Sequence, residues 1–76
     1  MFVEILNPDK TLFSGETNSV VLPGVNGSFQ ILKNHAPLIA NLRKGTVVIG
    51  DNRNNQTFEI TGGLVEVLKD KVIVLV

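Results

Sequence analysis

Along most of the chain apolar and polar residues alternate in short runs that stop at glycine, proline or asparagine. Val3 and Ile5 flank Glu4, and Asn7, Pro8 and Asp9 then supply a turn, where the fixed φ of proline suits the second position. Ser14-Gly15 predicts another break. Val20, Val21 and Leu22 form an apolar run that ends at Pro23-Gly24, a strong turn dipeptide. Gly27 allows a second reversal, after which Phe29 and Ile31 share one face of an extended segment, so residues 24–28 read as a reversing loop between strands. Gly45 opens a further strand over residues 46–49, and polar residues 50–55 return the chain into Thr57, Phe58, Glu59 and Ile60 as a hairpin with a longer loop. Gly62-Gly63 predicts one more break before residues 64–68, and Lys69-Asp70 separates these from residues 72–76 as a second hairpin.

Only residues 35–43 have helical spacing, with Pro37 near a first turn and Leu38, Ile39 and Leu42 on one side, enough for a turn or two. Roughly eight to ten short strands, punctuated about every ten residues, predict an all-β fold, a flattened β-sandwich or barrel. At 76 residues this is one domain, spanning residues 1–76. The pattern closes without a partner strand, so the domain is expected to fold alone as a monomer. In the last strand Val72, Ile73, Val74, Leu75 and Val76 are all apolar, which predicts cover on both faces.

Composition narrows the function classes. Seven basic residues balance seven acidic ones with no run of one sign, which leaves no electrostatic footprint for nucleic acid. There is no cysteine, hence no disulfide, thiolate metal site or cysteine nucleophile. The longest apolar run, residues 72–76, is far below the ~20 residues of a membrane helix, and the amino end lacks the pattern of a signal or transit peptide. The expectation is a cytoplasmic protein without direct membrane insertion.

Candidate chemistry is thin. His35 is the only histidine and has no second imidazole or thiolate with which to build a metal site. Ser14, Ser19 and Ser28 supply hydroxyls for a triad with His35, but small domains commonly contain these residue types and spacing gives no geometry. Gly24-x-x-Gly27-Ser28 lacks the lysine of a phosphate loop and no helix follows it. The four aromatics are Phe2, Phe13, Phe29 and Phe58, read as core rather than as a stacking platform. Asn34 and His35 precede Ala36-Pro37, where the residue before proline is pushed out of the helical region. His35 has two readings there: a polar tether for an irregular connection, or part of a contact surface. No catalytic, cofactor-binding or metal-binding residue is assigned.

The ordered motifs carry a resemblance. Residues 22–38, LPGVNGSFQILKNHAPL, followed by LRKGTVVI and ITGGLVEVLKDKVIVLV, resemble the amino-terminal β-sandwich of the epsilon subunit of F-type ATP synthase. Asn34-His35-Ala36-Pro37-Leu38, Thr61-Gly62-Gly63-Leu64-Val65-Glu66-Val67 and Leu12-Phe13-Ser14-Gly15-Glu16 match the family's boxes in order, and the similarity runs over nearly the whole chain. The resemblance implies a non-catalytic central-stalk (rotor) subunit of a bacterial F-type ATP synthase. Such a subunit attaches gamma to the membrane c-ring and couples ion-driven rotation to ATP synthesis, without a cofactor, from the cytoplasmic face of the cell membrane. By analogy Gly24, Val25, Asn26, Gly27 and Ser28 face the c-ring, and Asn34 and His35 face gamma. Ser28 stands where relatives are often acidic, and Gln30 where the family has a glycine. Family members usually continue into a pair of helices, whereas this chain stops at Val76; a natural subunit ending there is expected neither to brake hydrolysis nor to bind nucleotide. The alternative is a small β-sandwich ligand- or peptide-binding module, with an enzyme third.

Overall fold

In the computed structural model, which describes residues 1–50 and 55–76, seven strands follow one another: β1 (Phe2–Leu6), β2 (Thr11–Glu16), β3 (Ser19–Gly24), β4 (Gly27–Leu32), β5 (Leu38–Ile49), β6 (Gln56–Leu68) and β7 (Lys71–Leu75). The fold is all-β, as expected. The strands form one hydrogen-bonded sheet in the order β2-β1-β7-β6-β5-β3-β4, antiparallel except for the β1/β7 pair. Seven strands laid flat at about 4.8 Å spacing would span roughly 29 Å in a thin layer. The observed extents are 25 × 22 × 21 Å, so the sheet is folded over on itself into a sandwich.

The fold-over is made by the two longest strands. β5 and β6 pair without a register shift from Leu38↔Val67 to Ile49↔Gln56. The carboxy-terminal half of β6 pairs with β7, from Leu64↔Leu75 to Leu68↔Lys71. The carboxy-terminal end of β5 pairs with β3 through Val20↔Ile49 and Val21↔Val48. Each long strand therefore belongs to both layers. Gly62 and Gly63, each at φ 149°, sit at the bend of β6, a conformation that residues with a Cβ rarely adopt. At Gly63 a Cβ would fall on the Leu75 carbonyl oxygen, with the Val76 Cα also close. This glycine lets β6 cross tightly over the end of β7.

Three expectations about strand limits are corrected. The Gly62-Gly63 pair bends β6 without ending it, and Gly45 lies inside β5 rather than at its start. Ser14-Gly15 likewise continues β2. Fewer breaks give seven longer strands in place of eight to ten short ones. The helical reading of residues 35–43 also gives way, because from Leu38 to Leu42 exposure alternates with period two and the backbone pairs with β6. Between β4 and β5 only residues 33–37 lie outside a strand. The expected hairpin loop over residues 50–55 falls outside the described residues from 51 to 54.

Between the layers lie Val3, Ile5, Val20, Leu22, Ile31, Val47, Val65, Val72 and Val74, all nearly or fully enclosed, with Met1, Leu42, Ile49, Ile60 and Val67 around them. Phe13 and Phe58 meet edge to face with ring centres 5.8 Å apart, joining β2 to β6. Phe13, Phe29 and Phe58 pack on the core, as expected of core aromatics, but Phe2 is not among the residues packed on it and its ring instead lies under the Lys71 ammonium, 5.9 Å from the ring centre. In β7 the inward Val72 and Val74 are buried, while on the outer face Ile73 is half-buried and Leu75 is 46 % exposed, so that face is only partly covered. The first turn is fixed locally: Asn7 Oδ1 accepts from the Asp9 and Lys10 N–H groups at 2.8 Å each.

Candidate functional site

Two loops carry the candidate contact residues, and β4 separates them. The first is the β3–β4 hairpin. Gly24 pairs with Gly27, leaving Val25 and Asn26 as a two-residue connection. Gly27 has φ 125°. A Cβ on Gly24 would lie 2.7 Å from the Gly27 carbonyl oxygen and 2.8 Å from the Phe29 ring, so both glycines are needed for so tight a reversal. The Val25 N–H donates to the Asn41 carbonyl at 3.2 Å and ties the tip to β5. Val25, Asn26 and Ser28 are exposed at this tip, while Gly24 is buried beneath it.

A shallow groove beside the tip is lined by Val25, Asn26, Phe29, Ile39 and Asn41. Val25 is 54 % exposed and Ile39 67 % exposed. This apolar pair is a feature that sequence reasoning missed, because a helical reading of residues 35–43 turns Ile39 toward the core. The signal that finds it is the strand alternation of Leu38, Ala40 and Leu42, which points Ile39 outward.

The second loop joins β4 to β5. Asn34 adopts φ 67°, a conformation that asparagine tolerates better than most residues. The His35 N–H donates to the Leu32 carbonyl at 3.2 Å. The His35 Nδ1 lies 2.6 Å from the Ala36 carbonyl oxygen, a contact that requires a proton on Nδ1. The imidazole is half-buried and contacts its own loop, while Asn34 is exposed. Asn34 and His35 face a small cleft shared with Met1, Asp70 and Lys71.

The two loops stand at opposite ends of β4, roughly 17 Å apart at about 3.3 Å per residue. They form two surfaces. Ser28 pairs with Pro23 at the end of β4 remote from His35, and the Ser19 hydroxyl donates to the Gly50 carbonyl at 2.9 Å. Neither is arranged as a nucleophile for the imidazole. Among the described residues no group of three or more His, Cys, Asp or Glu converges as metal ligands.

Over residues 1–76 the chain matches the family described as "ATP synthase, Delta/Epsilon chain, beta-sandwich domain". It is 50% identical over 74 residues to the ATP synthase epsilon chain of Chlorobaculum tepidum, covering 96% of this chain and 84% of the relative. It is 38% identical to that of Caulobacter vibrioides, covering 93% and 83%. With the epsilon chain of Leptospira borgpetersenii the identity is 40%, and the match spans 96% of this chain but 58% of the relative. The fold superposes with a TM-score of 0.87 on a chain of the Euglena gracilis mitochondrial ATP synthase, OSCP/F1/c-ring, at 16% identity, covering 96% of this chain and 48% of that one. The TM-score is 0.79 for a chain of the Tetrahymena thermophila mitochondrial ATP synthase, central stalk/c-ring, at 20% identity, covering 97% and 60%. At these identities the two superpositions speak for the fold, and the sequence matches speak for the family. The chain belongs to the delta/epsilon-chain β-sandwich family of ATP synthase.

Proposed function

We propose that this chain is a non-catalytic central-stalk subunit of a bacterial F-type ATP synthase, joining gamma to the c-ring so that ion-driven rotation reaches the catalytic head. The observation that carries the reading is the family match over residues 1–76, together with 50% identity to an ATP synthase epsilon chain across 96% of this chain. In this role the protein works at the cytoplasmic face of the membrane as a peripheral component. The hairpin tip of Gly24, Val25, Asn26, Gly27 and Ser28 meets the c-ring, and the loop of Asn34 and His35 meets gamma. Two loops at opposite ends of one strand suit a subunit that touches two partners at once. A two-layer sheet with a continuous core suits the passage of load between them.

The chain has no cysteine, which makes site-directed cross-linking clean. Asn26→Cys in the assembled enzyme is expected to cross-link to ring subunits, and Asn34→Cys to gamma. Cross-links from both positions to a single partner, or from neither in an assembly that retains the chain, would remove the two-surface assignment. Failure of the chain to copurify with gamma and the ring would remove the subunit reading as well.

A further inference from the structure

The inward side chains of β6 and β7, Val65, Val67, Val72 and Val74, are buried in the core, so Leu64, Glu66 and Leu68 of β6 and Ile73 and Leu75 of β7 stand on the opposite, outer face. Strand pairing extends this face on both sides. Glu4, Ile73, Glu66 and Ile39 lie side by side across β1, β7, β6 and β5, and Leu6, Leu75 and Leu64 form the next row. Three of the five large hydrophobics exposed among the described residues, Ile39, Leu68 and Leu75, are here, and Leu64 and Ile73 are half-buried. An open apolar patch of this kind marks an interaction surface. Two glutamates interrupt it, one on each side of Ile73, and they differ. Glu4 Oε1 lies 3.3 Å from Lys71 Nζ. Glu66 is half-buried and has neither an ion pair nor a side-chain hydrogen bond with any described residue.

We propose that this face is the bed on which gamma lies and that Glu66 is its specificity residue, receiving an arginine or lysine side chain that gamma presents within an apolar surface. The inference deepens the subunit reading and rests on it. With the face open, water solvates the Glu66 carboxylate. An apolar cover laid over Ile73 and Leu64 strips that water away, and a carboxylate left without a partner is then costly. A cover that carries a cation in register with Glu66 replaces the water by a charge-assisted bond. The face therefore accepts one class of apolar surface and refuses others. Glu4 and Lys71 neutralise one another, so the charge left among the paired rows is the single negative charge of Glu66. A second copy of this chain would set a second carboxylate in the same interface, which disfavours self-pairing. Continuity points to gamma. Leu68 and Lys71, at one border of the face, also line the cleft beside Asn34 and His35, the loop placed against that subunit.

The test measures binding of the chain and its variants to the catalytic head that carries gamma, freed of this subunit. Glu66→Gln is expected to weaken binding by roughly tenfold or more, as loss of a hydrogen bond between charged groups does. Glu66→Arg, which sets like charges together, is expected to weaken it further. Glu4→Gln is the control: its carboxylate already has Lys71, so affinity should change by less than about fivefold. Because Glu66 makes no ion pair with the described residues, its variants should melt within about 5 °C of the unmodified chain, and weaker binding then reports the interface. Undiminished binding by Glu66→Gln overturns the inference and leaves the subunit reading standing; should Glu66→Arg fail to fold, Glu66→Gln alone decides. A dimer of the isolated chain that Glu66→Arg dissolves also overturns it, in favour of a second copy on this face. No binding of the unmodified chain to the head overturns the subunit reading and the inference together.

Discussion

Replacing three glycines one at a time by alanine separates backbone strain from steric collision. Gly27, Gly62 and Gly63 all have φ between 125° and 149°, so each replacement forces an L-residue into a conformation costing roughly 1–2 kcal/mol. Their surroundings differ. A Cβ at Gly27 meets nothing within 4 Å, and one at Gly62 comes only to 3.5 Å from the Leu42 carbonyl oxygen, an ordinary contact. At Gly63 it falls on the Leu75 carbonyl and stands 3.2 Å from the Val76 Cα, both backbone, with no flexible side chain to move aside. Parting β6 from β7 there adds an overpacking cost of about 1–3 kcal/mol. For a domain of this length 1 kcal/mol shifts the melting temperature by about 6 °C. Gly27→Ala and Gly62→Ala should therefore each lower it by roughly 6–12 °C, and Gly63→Ala by roughly 12–30 °C. Circular dichroism melts of the four chains at one concentration provide the assay. If Gly63→Ala melts no lower than the other two, the claim that β6 bends in close contact with β7 is wrong.

Other perturbations have equally definite outcomes. Val74 is wholly buried in β7, and Val74→Asp, which leaves a charge unpaired in the core, should abolish the cooperative melt. Ser19→Ala removes a partly buried bond to the Gly50 carbonyl and should cost about 1 kcal/mol by denaturant titration. His35→Glu breaks a contact made within its own exposed loop, so stability should fall by no more than about 1 kcal/mol while binding to gamma in a pull-down weakens. Ser28→Lys at the opposite end of β4 should lower coupled ion pumping and leave binding to gamma alone unchanged.

How much of this was legible in the sequence depends on what each residue contacts. Alternation makes β1 and β4 readable, since Val3 and Ile5, and Phe29 and Ile31, point inward as the pattern requires, whereas β7 is apolar at Val72, Ile73, Val74 and Leu75 alike, so its inward face is not marked by the sequence. The Gly62-Gly63 pair reads as a break because glycine weakens strands in general, whereas its role depends on the Leu75 carbonyl, which no local pattern reports. Leu38, Ile39 and Leu42 suit a helical stripe as well as a strand, and pairing with β6 settles the matter. The two candidate contact loops are visible as loops, and the single strand between them already implies that they lie apart. The Val25–Ile39 groove is not visible, because it exists only where the hairpin tip meets β5 through the Val25–Asn41 bond.

The central claim is that the chain mechanically joins gamma to the c-ring, and the most direct measurement is ATP-driven ion pumping by the enzyme reconstituted in vesicles with and without it. Without the chain, the head should still hydrolyse ATP while pumping is lost, and adding the purified chain back should restore pumping. Full pumping in its absence would contradict the account.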